Sequence, residues 1–118
     1  LVLRPVQAVT SGPRPADRIV ASPTRWFALR AEKDGLCRVC GSPPPNELHH
    51  IVARSRRGDD LAENLVPVCV GCHDLIERRN GYALRQLHDS LTEAERTYCA
   101  AKLGGNALLR IFGEAVLA

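Results

Sequence analysis

Cys37-Arg38-Val39-Cys40, Leu48-His49-His50-Ile51, Asn64-Leu65-Val66 and Cys69-Val70-Gly71-Cys72-His73 decide how this chain is read. Two Cys-x-x-Cys pairs bracket a histidine pair, and a further histidine follows the second pair directly. In Cys-x-x-Cys the chain must reverse to present both thiolates to one ion, and Gly41 after the first pair suits such a turn. Four thiolates around one Zn²⁺ form a closed tetrahedral site, structural rather than catalytic. An iron–sulfur site, a redox dithiol and two unrelated pairs are the alternatives. The reading is therefore a structural zinc on Cys37, Cys40, Cys69 and Cys72, contributing folding energy of order ~10 kcal/mol. Cys99 stands apart and reads as a small buried hydrophobe.

Outward from this stretch, the bulk numbers agree. A chain of 118 residues with 45% apolar content fits one domain, yet only five residues are Trp, Tyr or Phe. The polar, Pro- and Gly-interrupted segment around the cysteines is too short to bury a large core, and such segments are held by metals or disulfides. An odd number of cysteines in paired spacing fits metal binding in a reducing cytosol better than a secreted disulfide framework. No run of about 18 apolar residues is present, so no membrane span is expected. Residues 1–57 carry ten Lys/Arg against four Asp/Glu, a balance of +6, and residues 58–118 carry six against nine, a balance of −3. The first half suits a polyanion such as nucleic acid, although a solvated surface explains so modest an excess equally well.

The flanks read as scaffold. Residues 1–21, with Pro5, Pro13 and Pro15, form an expected flexible tail. Ser22-Pro23 signals a helix start that Gly35 ends, with Trp26 or Phe27 packing onto the zinc-bound segment. Residues 47–52 and 64–68 read as short strands, the second at an edge because of Pro67. A helix opens from the second cysteine pair and runs through about residue 79, where Asn80-Gly81 stops it. Residues 83–88 carry a thin helical signal. Thr92-Glu93-Ala94-Glu95 is a capping box for a helix to about residue 103, and residues 107–112 form a last apolar turn or helix. The expected domain is 22–118, with a core at 34–80 and a C-terminal helical extension at 83–113. Glu32, Asp34, Asp59, Asp60 and Asp74 read as surface or capping groups, and His88 as structural.

The histidines carry the functional signal. Neighbours in a strand point to opposite faces, so His49 and His50 have different jobs. One can turn toward a metal on the helix side while the other addresses a substrate. His73, fixed by Cys72, opens the helix.

This order of elements resembles the HNH endonucleases, with the three letters of the name on His50, Asn64 and His73. The resemblance covers about residues 34–80 and implies an α+β fold with a small ββα-metal (His-Me finger) core. It implies His50 as the general base, His49 and His73 as ligands of a catalytic divalent metal, and Asn64 as the residue that pins the loop and orients His50. It also implies phosphodiester hydrolysis in DNA leaving 5′-phosphate and 3′-hydroxyl ends. The setting it suggests is the cytoplasm of a bacterial or phage-infected cell, with terminase-type DNA-packaging proteins as partners. Histidine suits the chemistry, since its unperturbed pKa lies near neutrality. Two nitrogen ligands favour Mn²⁺, Ni²⁺ or Zn²⁺ over Mg²⁺, and Glu77, one turn past His73, is either a further carboxylate ligand or a solvated side chain. Arg57-Gly58 stands where the family commonly has two glycines. Arg57, with Arg54 and Arg56, is a candidate phosphate contact. The rival reading is a non-catalytic zinc-stapled module that binds DNA or protein.

Overall fold

The computed structural model describes residues 17–116, so most of the expected tail lies outside the described residues. Within them the chain is α+β: helix α1 (Pro23–Lys33), strands β1 (Glu47–His50) and β2 (Leu65–Val68), then helices α2 (Val70–Glu77), α3 (Gly81–Ser90), α4 (Glu93–Leu103) and α5 (Ala107–Phe112). The two strands pair antiparallel, Glu47 opposite Val68 and His50 opposite Leu65, as one two-stranded sheet. The first strand stops at His50, two residues earlier than expected. Ile51 still donates to the Asn64 carbonyl at 2.9 Å, but Val52 turns to the Asn64 side chain instead.

Strand alternation divides the molecule. Leu48 and Leu65 face α1 and form a small core with Leu29, bordered by Trp26. Val66 and Val68 face the other way, into the larger core with Val52, Ile76, Leu87 and Phe112. Glu47 and His49 sit opposite those valines on the same side, so they look toward α2. Amphipathic spacing explains α3, whose Ala83, Leu84 and Leu87 are buried at helical intervals with Leu91 just beyond.

Most helix ends follow side-chain chemistry. Ser22 Oγ accepts from the Arg25 amide ahead of α1, and both halves of the Thr92/Glu95 capping box are formed. The end of α2 differs from the expectation. Arg79 adopts φ 62° and terminates the helix, Asn80 caps the next one by accepting from the Ala83 amide at 3.0 Å, and Gly81 is already helical. The helix-forming stretch at 83–88 is thus a full helix, held by its cap and its buried face.

α1 also departs from the expectation. Trp26 packs against the strand pair and stacks on His50, with ring centroids 5.9 Å apart and planes 7° apart, while Phe27 is exposed. Neither aromatic is packed on the cysteine turn.

The loop between β1 and β2 is held from within. Asn64, fully buried, accepts from the Val52 amide at 2.7 Å and donates to the carbonyls of Val52 (3.1 Å) and Asp59 (2.9 Å). Arg57 sits in the left-handed region at φ 67°, a conformation that favours glycine, and a Cβ on Gly58 would overlap the Val52 carbonyl. That backbone explains why two glycines suit these positions.

Candidate active site

The cysteine site is built from two turns. Cys37 N–H bonds the Ser42 carbonyl at 2.9 Å, Gly41 N–H returns to the Cys37 carbonyl at 2.9 Å, and Gly41 has φ 81°. Backbone N–H groups of Val39 and Cys40 point at Cys37 Sγ, at 3.4 and 3.5 Å. In the second turn, Cys69 is the N-cap of α2, its sulfur accepting from the Cys72 amide at 3.4 Å. Arg38 N–H bonds the Pro67 carbonyl at 3.0 Å, which ties the first turn to β2 and so to the second turn.

All four sulfurs lie within 4.8 Å of one another, and Cys40 and Cys69 are 3.8 Å apart. Metal–sulfur bonds of the zinc type, about 2.3 Å, put tetrahedral ligands about 3.8 Å apart, so the cluster fits one ion. None of the five cysteines is in a disulfide. The Ser42 hydroxyl lowers the Cys40 thiol to about 6, whereas burial and the neighbouring thiols push Cys72 up. Four such groups ionise together only around a cation.

A second constellation stands on the next residue. His49 of β1 with His73 and Glu77 of α2 bring ligand atoms within 4.8 Å of one another. Glu77 Oε2 is 3.5 Å from His73 Nε2 and 3.8 Å from His49 Nδ1, and the two rings meet edge to face at 5.2 Å. Bonds of 2.0–2.2 Å would set such ligands about 3.0–3.6 Å apart, so the trio is close to a coordination sphere. Burial, with His73 and His50 nearby, drops His49 to about 3, so it is neutral and its lone pair is available. His73 Nδ1 is bonded to Glu47 Oε1 at 2.6 Å, which turns Nε2 toward the site.

His50 looks elsewhere. Its Nε2 is 2.9 Å from Asp60 Oδ1 and its ring lies under Trp26, with the Arg54 guanidinium 5.8 Å from the Trp26 ring. Burial lowers its pKa, and the Asp60 contact opposes that shift. As the last residue of β1, His50 nevertheless reaches the same opening as its neighbour. One cleft of about 340 Å³ is lined by Trp26, His49, His50, Arg54, His73 and Glu77. A second, of about 410 Å³, shares His49, His50 and Glu77 and carries Arg56, Arg79 and Arg110. The structure thus brings His49, His50, His73, Arg54 and Arg56 to the clefts. Arg57 lines neither, and Asn64 is buried in the loop without a bond to His50.

Five residues stand where the sequence gives no sign of them. Glu47 joins the site only because α2 lies against β1 and brings His73 to it. Arg79 and Arg110 reach the cleft by anchoring on the Ile111 and Leu103 carbonyls, both at 2.8 Å. Asp59 and Asp60 are not surface groups: they are 3% and 5% exposed, bonded to residues 18–21, His50, Tyr98 and Lys102. Among the described residues no helix is long and apolar enough to cross a membrane.

Comparison with known proteins agrees with the motif order. No curated protein and no solved structure matches the chain. Residues 37–79, from the first cysteine to the end of the turn after α2, match the family model described as HNH endonuclease. That stretch, a little over a third of the chain, holds both cysteine pairs and every histidine of the site, and over it the chain is similar to the HNH endonuclease family.

Proposed function

We propose that the protein is a metal-dependent endonuclease that hydrolyses phosphodiester bonds in DNA on a ββα-metal core, leaving 5′-phosphate and 3′-hydroxyl ends. The observation that carries this reading is the convergence of His49, His73 and Glu77 on one point, with His50 opening on the same cleft. A scaffold or a binding module has no need of that arrangement. Cys37, Cys40, Cys69 and Cys72 would hold the structural Zn²⁺.

His49 Nδ1, His73 Nε2 and Glu77 Oε2 would hold the catalytic divalent ion, with a carboxylate added to two imidazoles. That donor set admits Mn²⁺, Ni²⁺ or Zn²⁺ readily and Mg²⁺ less so. Such an ion supplies charge stabilisation for the scissile phosphate and the departing 3′ oxygen. Glu47 fixes the ring of His73. His50 takes the proton of the attacking water, and low basicity at its buried ring keeps it unprotonated at neutral pH. Asn64 holds the loop that follows His50. Arg54 and Arg56, with Arg79 and Arg110 beside the second cleft, would meet backbone phosphates and contribute affinity rather than sequence readout. Arg57 is the weakest of these contacts.

The test is supercoiled plasmid incubated with the protein and Mg²⁺, Mn²⁺, Ni²⁺ or Zn²⁺, beside His50→Ala. Nicking by the wild type that disappears in the variant is the expected result. A mobility shift without nicking in any metal would replace this reading with that of a binding module.

A further inference from the structure

We propose that Asp60, locked by the segment 18–21, is a positioning residue that sets the tautomer and ring orientation of His50. This inference rests on the assignment of His50 as the base. It reaches outside the stretch 37–79 that matches the family.

The geometry is closed on every side but one. A carboxylate only accepts hydrogen bonds, so Nε2 of His50, 2.9 Å from Asp60 Oδ1, must carry the ring proton. Nδ1 is left with the lone pair that a base requires. Trp26 lies parallel to the ring, so the plane is fixed as well as the proton. Among the described residues nothing is bonded to Nδ1, while the cleft shared with His49, His73 and Glu77 lies beside the ring.

Asp60 is itself immobilised. Arg18 Nη2 donates to Oδ1 at 2.6 Å and the Ala21 amide to Oδ2 at 2.9 Å, and the Asp60 amide bonds the Ile19 carbonyl at 2.9 Å. Arg18 Nε reaches the Gly58 carbonyl at 2.7 Å, so the strap also grips the loop that carries Asp60. Both carboxylate oxygens are therefore occupied by donors. An amide in place of the carboxylate would aim its N–H₂ at one of them, or turn it onto His50 Nε2 and reverse the tautomer.

Asp59 supplies the control. It is equally buried and also bonds the strap, through the Ile19 amide, and it ties the loop to Tyr98 and Lys102, yet it does not touch His50. Asp59→Asn should lower thermal stability and leave kcat close to wild type. Asp60→Asn should lower kcat about 100-fold with little change in KM. Arg18→Met, a lighter disturbance, should lower kcat about fivefold in a fold that persists. Two-bond ¹⁵N–¹H spectra of the histidine rings give a readout free of turnover: the Nε2–H pattern of His50 in the wild type should be lost in Asp60→Asn and kept in Asp59→Asn. Wild-type kcat in Asp60→Asn, or a wild-type ring protonated at Nδ1, would overturn the proposal. A wild type inert in every metal would overturn the nuclease reading instead, and the ring spectra would still decide whether Asp60 sets the tautomer.

Discussion

Asn64→Ala isolates the pin that holds the loop between the strands. The wild-type side chain is fully buried and makes three hydrogen bonds, one accepted from the Val52 amide and two donated to the Val52 and Asp59 carbonyls. A buried neutral bond contributes about 1 kcal/mol net, so three sum to about 3 kcal/mol. Truncation also strands the Val52 amide in a fully buried residue, adding about 1–3 kcal/mol. The expected loss of about 4–6 kcal/mol is large against the 5–15 kcal/mol of an ordinary domain. The assay is urea unfolding with the cysteine site saturated, since metal binding would otherwise mask the difference. Asn64→Asp keeps the acceptor for Val52 but turns a carboxylate onto two carbonyl oxygens. Burial and those oxygens raise its folded pKa, so its stability should improve as pH falls, when the acid form can donate once. A loss below about 1 kcal/mol in Asn64→Ala, or no recovery of Asn64→Asp at low pH, would refute the pin.

Three further outcomes follow from the geometry. Cys37→Ser should abolish cooperative unfolding, because it removes one of four ligands from a site of order ~10 kcal/mol, while His50→Ala should keep a cooperative melt; circular dichroism compares them. Glu47→Gln should weaken Mn²⁺ binding at the His49/His73/Glu77 site about 10–100-fold by calorimetry and leave the cysteine site unaffected; equal affinity would exclude Glu47 from orienting His73. Glu95 gives the pH dependence. Burial raises it, but Arg38, the Thr92 amide and Lys33 win, and its folded pKa lies below the ordinary 4.5. The stability it contributes is complete above pH 4.5 and is lost as pH falls through the depressed value. Glu95→Gln should therefore melt lower than the wild type at pH 7, by about 2 kcal/mol, with the gap closing in acid; a constant gap would contradict the ion pair.

The sequence disclosed what local chemistry decides. Cysteine spacing announces its own turn, Ser22-Pro23 and Thr92 to Glu95 announce helix starts, and adjacent histidines on a strand announce different faces. The site was legible as far as its residues cluster in the chain. Glu77 was visible one turn from His73, but whether it is solvated or joins the trio depends on how β1 lies on α2. Asp60 was not legible, because its burial comes from residues 18–21 folding across the loop. Asp59 needs Tyr98 and Lys102 from α4, about 40 residues away. Trp26 was expected near the cysteines because it is close in sequence. Its stack on His50 depends on the antiparallel pairing, which carries the end of β1 back toward α1.

Cys72 and His73 are consecutive residues at the start of α2, one in each group of candidate metal ligands. A single peptide unit, about 3.8 Å from one Cα to the next, thus joins the two ligand groups. Ions in the two sites would be thermodynamically linked: one in the cysteine cage would fix the backbone from which His73 and Glu77 project. It would thereby remove part of the ordering entropy that the second ion would otherwise meet. By reciprocity the second ion would tighten the first to the same degree. Metal supply to one site would then act as an effector of the other.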